Sequence, residues 1–251
     1  MNKTERYRQL LPQIDDWGPF LLKESGLPGR RANLELAKVV AEMGEAQLIE
    51  DYLQYSPDRA PVNSPQAFLC FCGVLGLGKL AAAGDLAAQE RLKSYANDPR
   101  WRIREAVAMA LQAIGEADLE RLLSVCEHWS RGSWLEMRAA AAGIAEPGVL
   151  VHATEEQASR ALDILDRITT ALASARDRKD ENFRVLRKGL GYCWSVLVAA
   201  FPTPGKARME NWLINADPDV RWVMNENLKK TRLAKMDSGW VAYWQGKMRQ
   251  I

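Results

Sequence analysis

Between Gly73 and Lys79 the chain reads Gly-Val-Leu-Gly-Leu-Gly-Lys, two glycines with four residues between them and a lysine directly after. That spacing could cradle a phosphate, with backbone N–H groups around the oxygens and Lys79 supplying charge. The residue that would ligate magnesium in such a loop is Ser or Thr, and here it is Leu80. The loop interior, Val74, Leu75, Gly76 and Leu77, would also put apolar side chains around a triphosphate. A phosphate loop needs a strand before it, whereas Ala67-Phe68-Leu69-Cys70-Phe71 sits among helical patterns. We therefore read this stretch as a glycine-rich packing helix. Phe68, Phe71, Leu75 and Leu77 are expected to be buried, and the glycines to allow close approach or to end the helix near Gly78.

Other chemistry-bearing residues are sparse. Two histidines, His128 and His152, and four cysteines without a Cys-x-x-Cys pair offer neither a zinc site nor a readable nucleophile–base arrangement. Adjacent carboxylates such as Asp15-Asp16 and Glu155-Glu156 point different ways on a helix. The reading assigns no catalytic residue, no metal and no cofactor. The four cysteines lie in apolar segments, as core residues do in a reducing compartment. The opening MNKTERYRQLLPQIDDW lacks the apolar stretch of a secretion signal. Lys79 interrupts the longest apolar run, so a cytoplasmic location without a membrane span is expected.

The elements that must position any site are helical. In 100–115, Ile103, Val107, Ala110, Leu111 and Ile114 fall on one helical face. Asp98-Pro99 reads as its start and Gly115 as its stop. No alternating β-branched run or Asn-Gly turn suggests a sheet. An aliphatic-Arg pair recurs at Ile103-Arg104, Met137-Arg138, Leu186-Arg187 and Val220-Arg221, with Arg-to-Arg steps of 34, 49 and 34 residues. Two degenerate units precede these, GLPGRRANLELAKVVAEMG and SPQAFLCFCGVLGLGK. Steps of this length belong to stacked helical pairs, because one pair cannot bury its apolar face alone. The 49-residue step holds an extra helix from about Thr154 to Ala175, opened by a Thr154–Gln157 capping box. Residues 55–66, YSPDRAPVNSPQ, form a long irregular loop.

The Asp-Pro step, the aliphatic-Arg pair, the small residues and the closing leucine resemble HEAT repeats, over most of 20–235. The resemblance implies one all-α domain over 1–251, an armadillo-like, right-handed α-solenoid of about six helical pairs. It also implies that Arg104, Arg138, Arg187 and Arg221 form an internal ladder, each on an Asp or a backbone carbonyl of a neighbouring repeat, with Asp98 and Asp217 as the obvious partners; the alternative is that some point into the concave groove and meet phosphates. Such arrays hold proteins or peptides on their concave face, so the chain is expected to be a non-enzymatic scaffold with a protein or peptide partner.

Whole-chain composition is ordinary, 47% hydrophobic and 26% charged with a net charge of +2. Residues 176–235 carry thirteen Lys/Arg against seven Asp/Glu, which leaves the rest at −4. That basic half favours an acidic partner segment, and it could equally meet nucleic acid. FRVLRKGLGYCWSVL is similar to a repeat helix of the HEAT-like DNA alkylation repair glycosylases, which makes a DNA-binding or DNA-repair protein the alternative. That family's Trp-rich segment carries a catalytic Asp, and SWLEMR offers only Glu136. The candidate groove residues are Trp129, Arg131, Trp134, Arg184, Arg187, Lys188, Trp222 and Asn225. Asn227, mid-helix, is expected to cap a loop from the adjacent unit, with a groove-lining polar role as the alternative.

Overall fold

The computed structural model describes residues 2–250. Among them are sixteen α-helices, one 3-10 turn and no strand. The chain divides into two compact units, 1–114 and 115–251.

In the first unit, α1 (Lys3–Leu10), α2 (Trp17–Glu24), α3 (Leu34–Met43), α4 (Ala46–Leu53) and α6 (Leu86–Ala96) accompany the long α5 (Pro65–Ala82). Helix α5 packs against α2, α3, α4 and α6, and most of its residues are buried. Ser64 caps it and Pro65 occupies the first turn, where a missing N–H costs nothing. This is the stretch that spells the near-phosphate loop. Its backbone is helical throughout, and Phe68, Phe71, Leu75 and Leu77 are buried in it. The helix passes Gly78 without ending there. It stops at Ala83, where Gly84 takes φ +106° and turns the chain.

Gly78 serves close approach: a Cβ there would lie 2.5 Å from Ala110 Cβ and 2.6 Å from Ala110 Cα in α7 (Trp101–Ala117). Helix propensity alone would make Gly78→Ala stabilising by up to about 1 kcal/mol. The clash is with backbone, which cannot swing aside, and overpacking of this kind costs about 1–3 kcal/mol. Gly78→Ala should therefore lower the melting temperature, read by circular dichroism. Lys79→Ala should leave it nearly unchanged, since Lys79 only donates to the Glu42 carbonyl at the surface. Helix α5 is long and apolar enough to cross a membrane, but its neighbours cover most of it.

Helix α7 starts and ends later than the sequence suggests. Asp98 Oδ1 accepts from Arg100 N at 2.7 Å, an Asx turn that holds Asp98-Pro99-Arg100 outside the helix. Gly115 does not stop it. A Cβ there would meet Leu122 and Val149, so packing accounts for that glycine.

The loop expected over 55–66 ends at Ser64, since Pro65 and Gln66 open α5, and it is held by a buried guanidinium. Arg100 Nη1 donates to the carbonyls of Tyr55 and Ala60, at 2.8 and 3.1 Å. Its Nε and Nη2 grip the two oxygens of Asp98 at 2.9 and 2.7 Å. Arg102, also buried, donates to the Gly29 carbonyl at 2.6 Å and lies over the Trp101 ring. Loops carry backbone groups that need partners, and two arginines supply them here.

In the second unit, α8 (Leu119–Trp129) packs on α9 (Trp134–Ile144), followed by the short α10 (Pro147–Leu150) and α11 (Glu155–Ala173). The expected extra helix is α11, and its Thr154–Gln157 capping box is present in both directions, at 2.9 and 3.2 Å. Next come α12 (Glu181–Ala200), α13 (Pro202–Leu213), α14 (Pro218–Leu228), α15 (Thr231–Met236) and α16 (Ser238–Met248). Neighbours in sequence pair: α11 with α12, α13 with α14, and α15 with α16. Across pairs, α11 lies on α8 and α13, while α12 lies on α9 and α14. Helix α12 is thus the core of this unit. Its Trp194 is fully buried and donates Nε1–H to Thr169 Oγ1 of α11 at 3.0 Å.

Candidate interaction groove

The exposed faces of α12 and α14 enclose two adjoining clefts. One, of about 400 Å³, is lined by Arg178, Phe183, Arg184, Arg187, Asp219 and Trp222 among others. The second, of about 260 Å³, is bounded by Gly191, Tyr192, Glu226 and Lys230. Lys188 and Trp222 line both, so the clefts form one groove with the indole as a ridge.

Two aspartate caps build the groove's mouth. Asp180 Oδ1 accepts from Asn182 N at 2.7 Å to start α12. Asp217 Oδ1 accepts from Asp219 N and Val220 N, both at 3.0 Å, to start α14. The other oxygen of Asp217 takes Arg178 Nη2 at 2.5 Å, and Arg178 Nη1 reaches Asp219 Oδ2 at 2.7 Å. Asp219 Oδ1 lies 2.7 Å from Arg187 Nε, although that N–H has no acceptor in line with it. Arg187 instead spreads its guanidinium over Trp222, 4.0 Å from the ring centre. The indole lies close on α12 because Gly191 leaves room: a Cβ there would sit 3.4 Å from the ring.

Partial burial pushes the Asp217 carboxyl up, but hydrogen bonds from Arg178 and the α14 backbone hold it below its ordinary value. A carboxyl lowered by folding adds stability above its unfolded pKa, near about 4, and that stability fades as pH falls through the folded value. Urea midpoints should therefore drop below about pH 4. Asp217→Asn should flatten part of that drop while lowering the midpoint at neutral pH.

The residues expected to form a groove divide into two sets. Arg184, Arg187, Lys188 and Trp222 come together on α12 and α14. Trp134 lies behind this wall, edge-on to the buried Phe183 at 5.6 Å. Trp129 is buried in α8. Arg131 is exposed and donates to the Glu127 carbonyl at 2.8 Å. Asn225 is exposed and lines neither cleft. The sequence reading missed Arg178, Asp219, Tyr192, Glu226 and Lys230. The Asp217-Pro218-Asp219 cap was the available signal for the first two.

Of the expected arginine ladder, Arg221 does meet a backbone carbonyl of a later helix, while the carboxylates of Asp98 and Asp217 go to Arg100 and Arg178. Arg104 donates to the carbonyls of Asp98 and Pro99, at 2.7 and 2.9 Å, and Asp98 spends its carboxylate on Arg100. Arg221 donates to the Met248 carbonyl at 3.1 Å, while Asp217 takes Arg178. Recurrence at one helical position fixes which way a side chain leaves the helix. It does not fix its partner.

Asn227 caps no loop; it joins two helices instead. Fully buried, it donates Nδ2–H to the Leu190 carbonyl of α12 and to Val223, both at 2.8 Å. Its Oδ1 accepts from Ser195 N at 2.8 Å. This pins α14 to the middle of α12 behind the groove.

No cysteine lines the groove. All four cysteines are buried, and burial pushes Cys70 up to about 11 and Cys193 up to about 12, so both are neutral thiols. Among the described residues no cluster of three or more His, Cys, Asp or Glu could hold a metal ion. Compared with known proteins, the chain matches no family model, no curated protein and no solved structure.

Proposed function

We propose that the chain is a non-enzymatic interaction module of HEAT-like helical pairs, holding a protein or peptide partner in the α12–α14 groove. The consecutive pairs of the second unit support this reading. Like helices stack on like, α11 between α8 and α13 and α12 between α9 and α14. That nearest-neighbour arrangement suits a solenoid of stacked helical pairs.

One observation carries the choice of partner class: the groove is mixed in charge. Arg178 and Arg187 are engaged by Asp217 and Asp219, and Glu181 and Glu226 lie on its rim. Duplex DNA asks for several cations free to replace counterions, often about 6–10 phosphate contacts in a specific complex. A peptide asks for a few polar anchors beside an aromatic surface, which Trp222 and Tyr192 provide.

The test compares affinity capture by the intact protein with capture by the Arg184→Glu/Lys188→Glu double variant. A protein retained by the first and lost by the second supports the module. Low-salt binding to duplex DNA, sensitive to the same variant, with no protein retained, returns the DNA-binding alternative.

A further inference from the structure

We propose that the groove's occupant is an acidic peptide segment that carries an apolar side chain beside its carboxylates. This rests on the interaction-module reading above and names the chemistry of its partner. The argument is charge complementarity. Every carboxylate lining the clefts already has a cation: Asp219 has Arg178 and Arg187, Glu226 has Lys229 at 2.5 Å, and Glu181 has Arg184 at 3.6 Å. Lys188 and Lys230 line the clefts without an ion pair of their own. The surplus in the groove is therefore positive and placed at two points, one shared by both clefts and one in the second.

The surface beside those points is in part apolar. The indole of Trp222 rises there, backed by the buried Phe183 on one side and Tyr192 on the other. Arg187 covers part of the ring and Gly191 adds no side chain to the groove. The clefts run along α12 from Arg184 to Tyr192, about 12 Å at the helical rise of about 1.5 Å per residue. An extended peptide covers that length with about four residues at roughly 3.3 Å each. Carboxylates on that segment would meet Lys188, midway along it, and Lys230, and an apolar residue would lie on the indole. Because the lysines are solvent-facing, they contribute mainly to encounter rate and selectivity, and the aromatic surface holds the peptide.

The experiment is fluorescence anisotropy with a labelled hexapeptide of alternating glutamate and leucine. Glutamine–leucine and lysine–leucine versions and a short duplex DNA are run beside it. Lys188→Glu and Lys230→Glu are the variants, with Lys235→Glu, outside the clefts, as the control. The expected result is binding of the acidic peptide alone, weakened about tenfold or more by either groove variant and unchanged by the control. Binding of the neutral or basic peptide with equal affinity, still dependent on the groove, overturns the acidic assignment and leaves the module reading standing. Binding of duplex DNA alone overturns both. Absence of binding by any peptide overturns the acidic assignment, and the capture experiment then decides the module separately.

Discussion

Replacing Arg100 with methionine should destabilise the first unit by about 3–5 kcal/mol, the range for removing one partner of a buried ion pair. The side chains of Arg100 and Asp98 are 4% and 7% exposed, so water cannot take over either role. Three losses coincide. Asp98 keeps a buried charge without its bidentate partner. The carbonyls of Tyr55 and Ala60 lose their donor. Cys70 Sγ loses a contact at 3.3 Å. Urea denaturation should show a large fall in midpoint, and limited proteolysis should cut within 55–64, where the loop is no longer tied down. The double variant Asp98→Asn/Arg100→Met removes the orphaned charge and should recover part of the loss. Surface pairs give the contrast: Arg91→Ala breaks the solvent-facing pair with Glu50 and should cost less than about 1 kcal/mol. Equal effects from Arg91→Ala and Arg100→Met would contradict the role given to burial.

The second large effect is expected at Asn227. Leucine there has nearly the same volume but leaves the Ser195 N–H and the Leu190 carbonyl buried without their side-chain partner. Each buried group left without a partner costs about 1–3 kcal/mol, so a loss of about 3 kcal/mol or more is expected in the second unit. Aspartate separates the two halves of the interaction. It keeps an acceptor for Ser195 but sets a second oxygen against the Leu190 carbonyl, so it should also destabilise. If Asn227→Leu instead matched or exceeded the native stability, apolar packing and not the carboxamide would join α12 to α14. Because Asn227 lies behind the groove, the leucine variant should also loosen Trp222, seen as faster amide exchange at the start of α14.

Local signals carried the secondary structure, and tertiary partners escaped them. The helical face from Ile103 to Ile114 and the Thr154–Gln157 box depend on neighbours within one or two turns, so the chain spells them out. The glycine-rich stretch was legible for a similar reason. Leu80 cannot ligate a cation, and the surrounding periodicity is helical. The arginine pairings were different. Asp98 gives its carboxylate to Arg100 two residues away, because an Asx turn aims it there, and its carbonyl to Arg104. Arg178 belongs to the groove only because the Asp217 cap presents a second oxygen across 39 residues of sequence. The cations Arg184, Arg187 and Lys188 could be anticipated from one basic helix turn beside aromatic residues. Which of them would already be neutralised depended on how α14 docks on α12.

The groove itself is tested most directly by amide hydrogen exchange on the protein with and without its captured partner. Protection confined to residues 184–192 and 219–230, and lost with Lys188→Glu, is the result expected of an occupant lying between α12 and α14. Protection elsewhere in the chain, with those two segments exchanging as in the free protein, would contradict it.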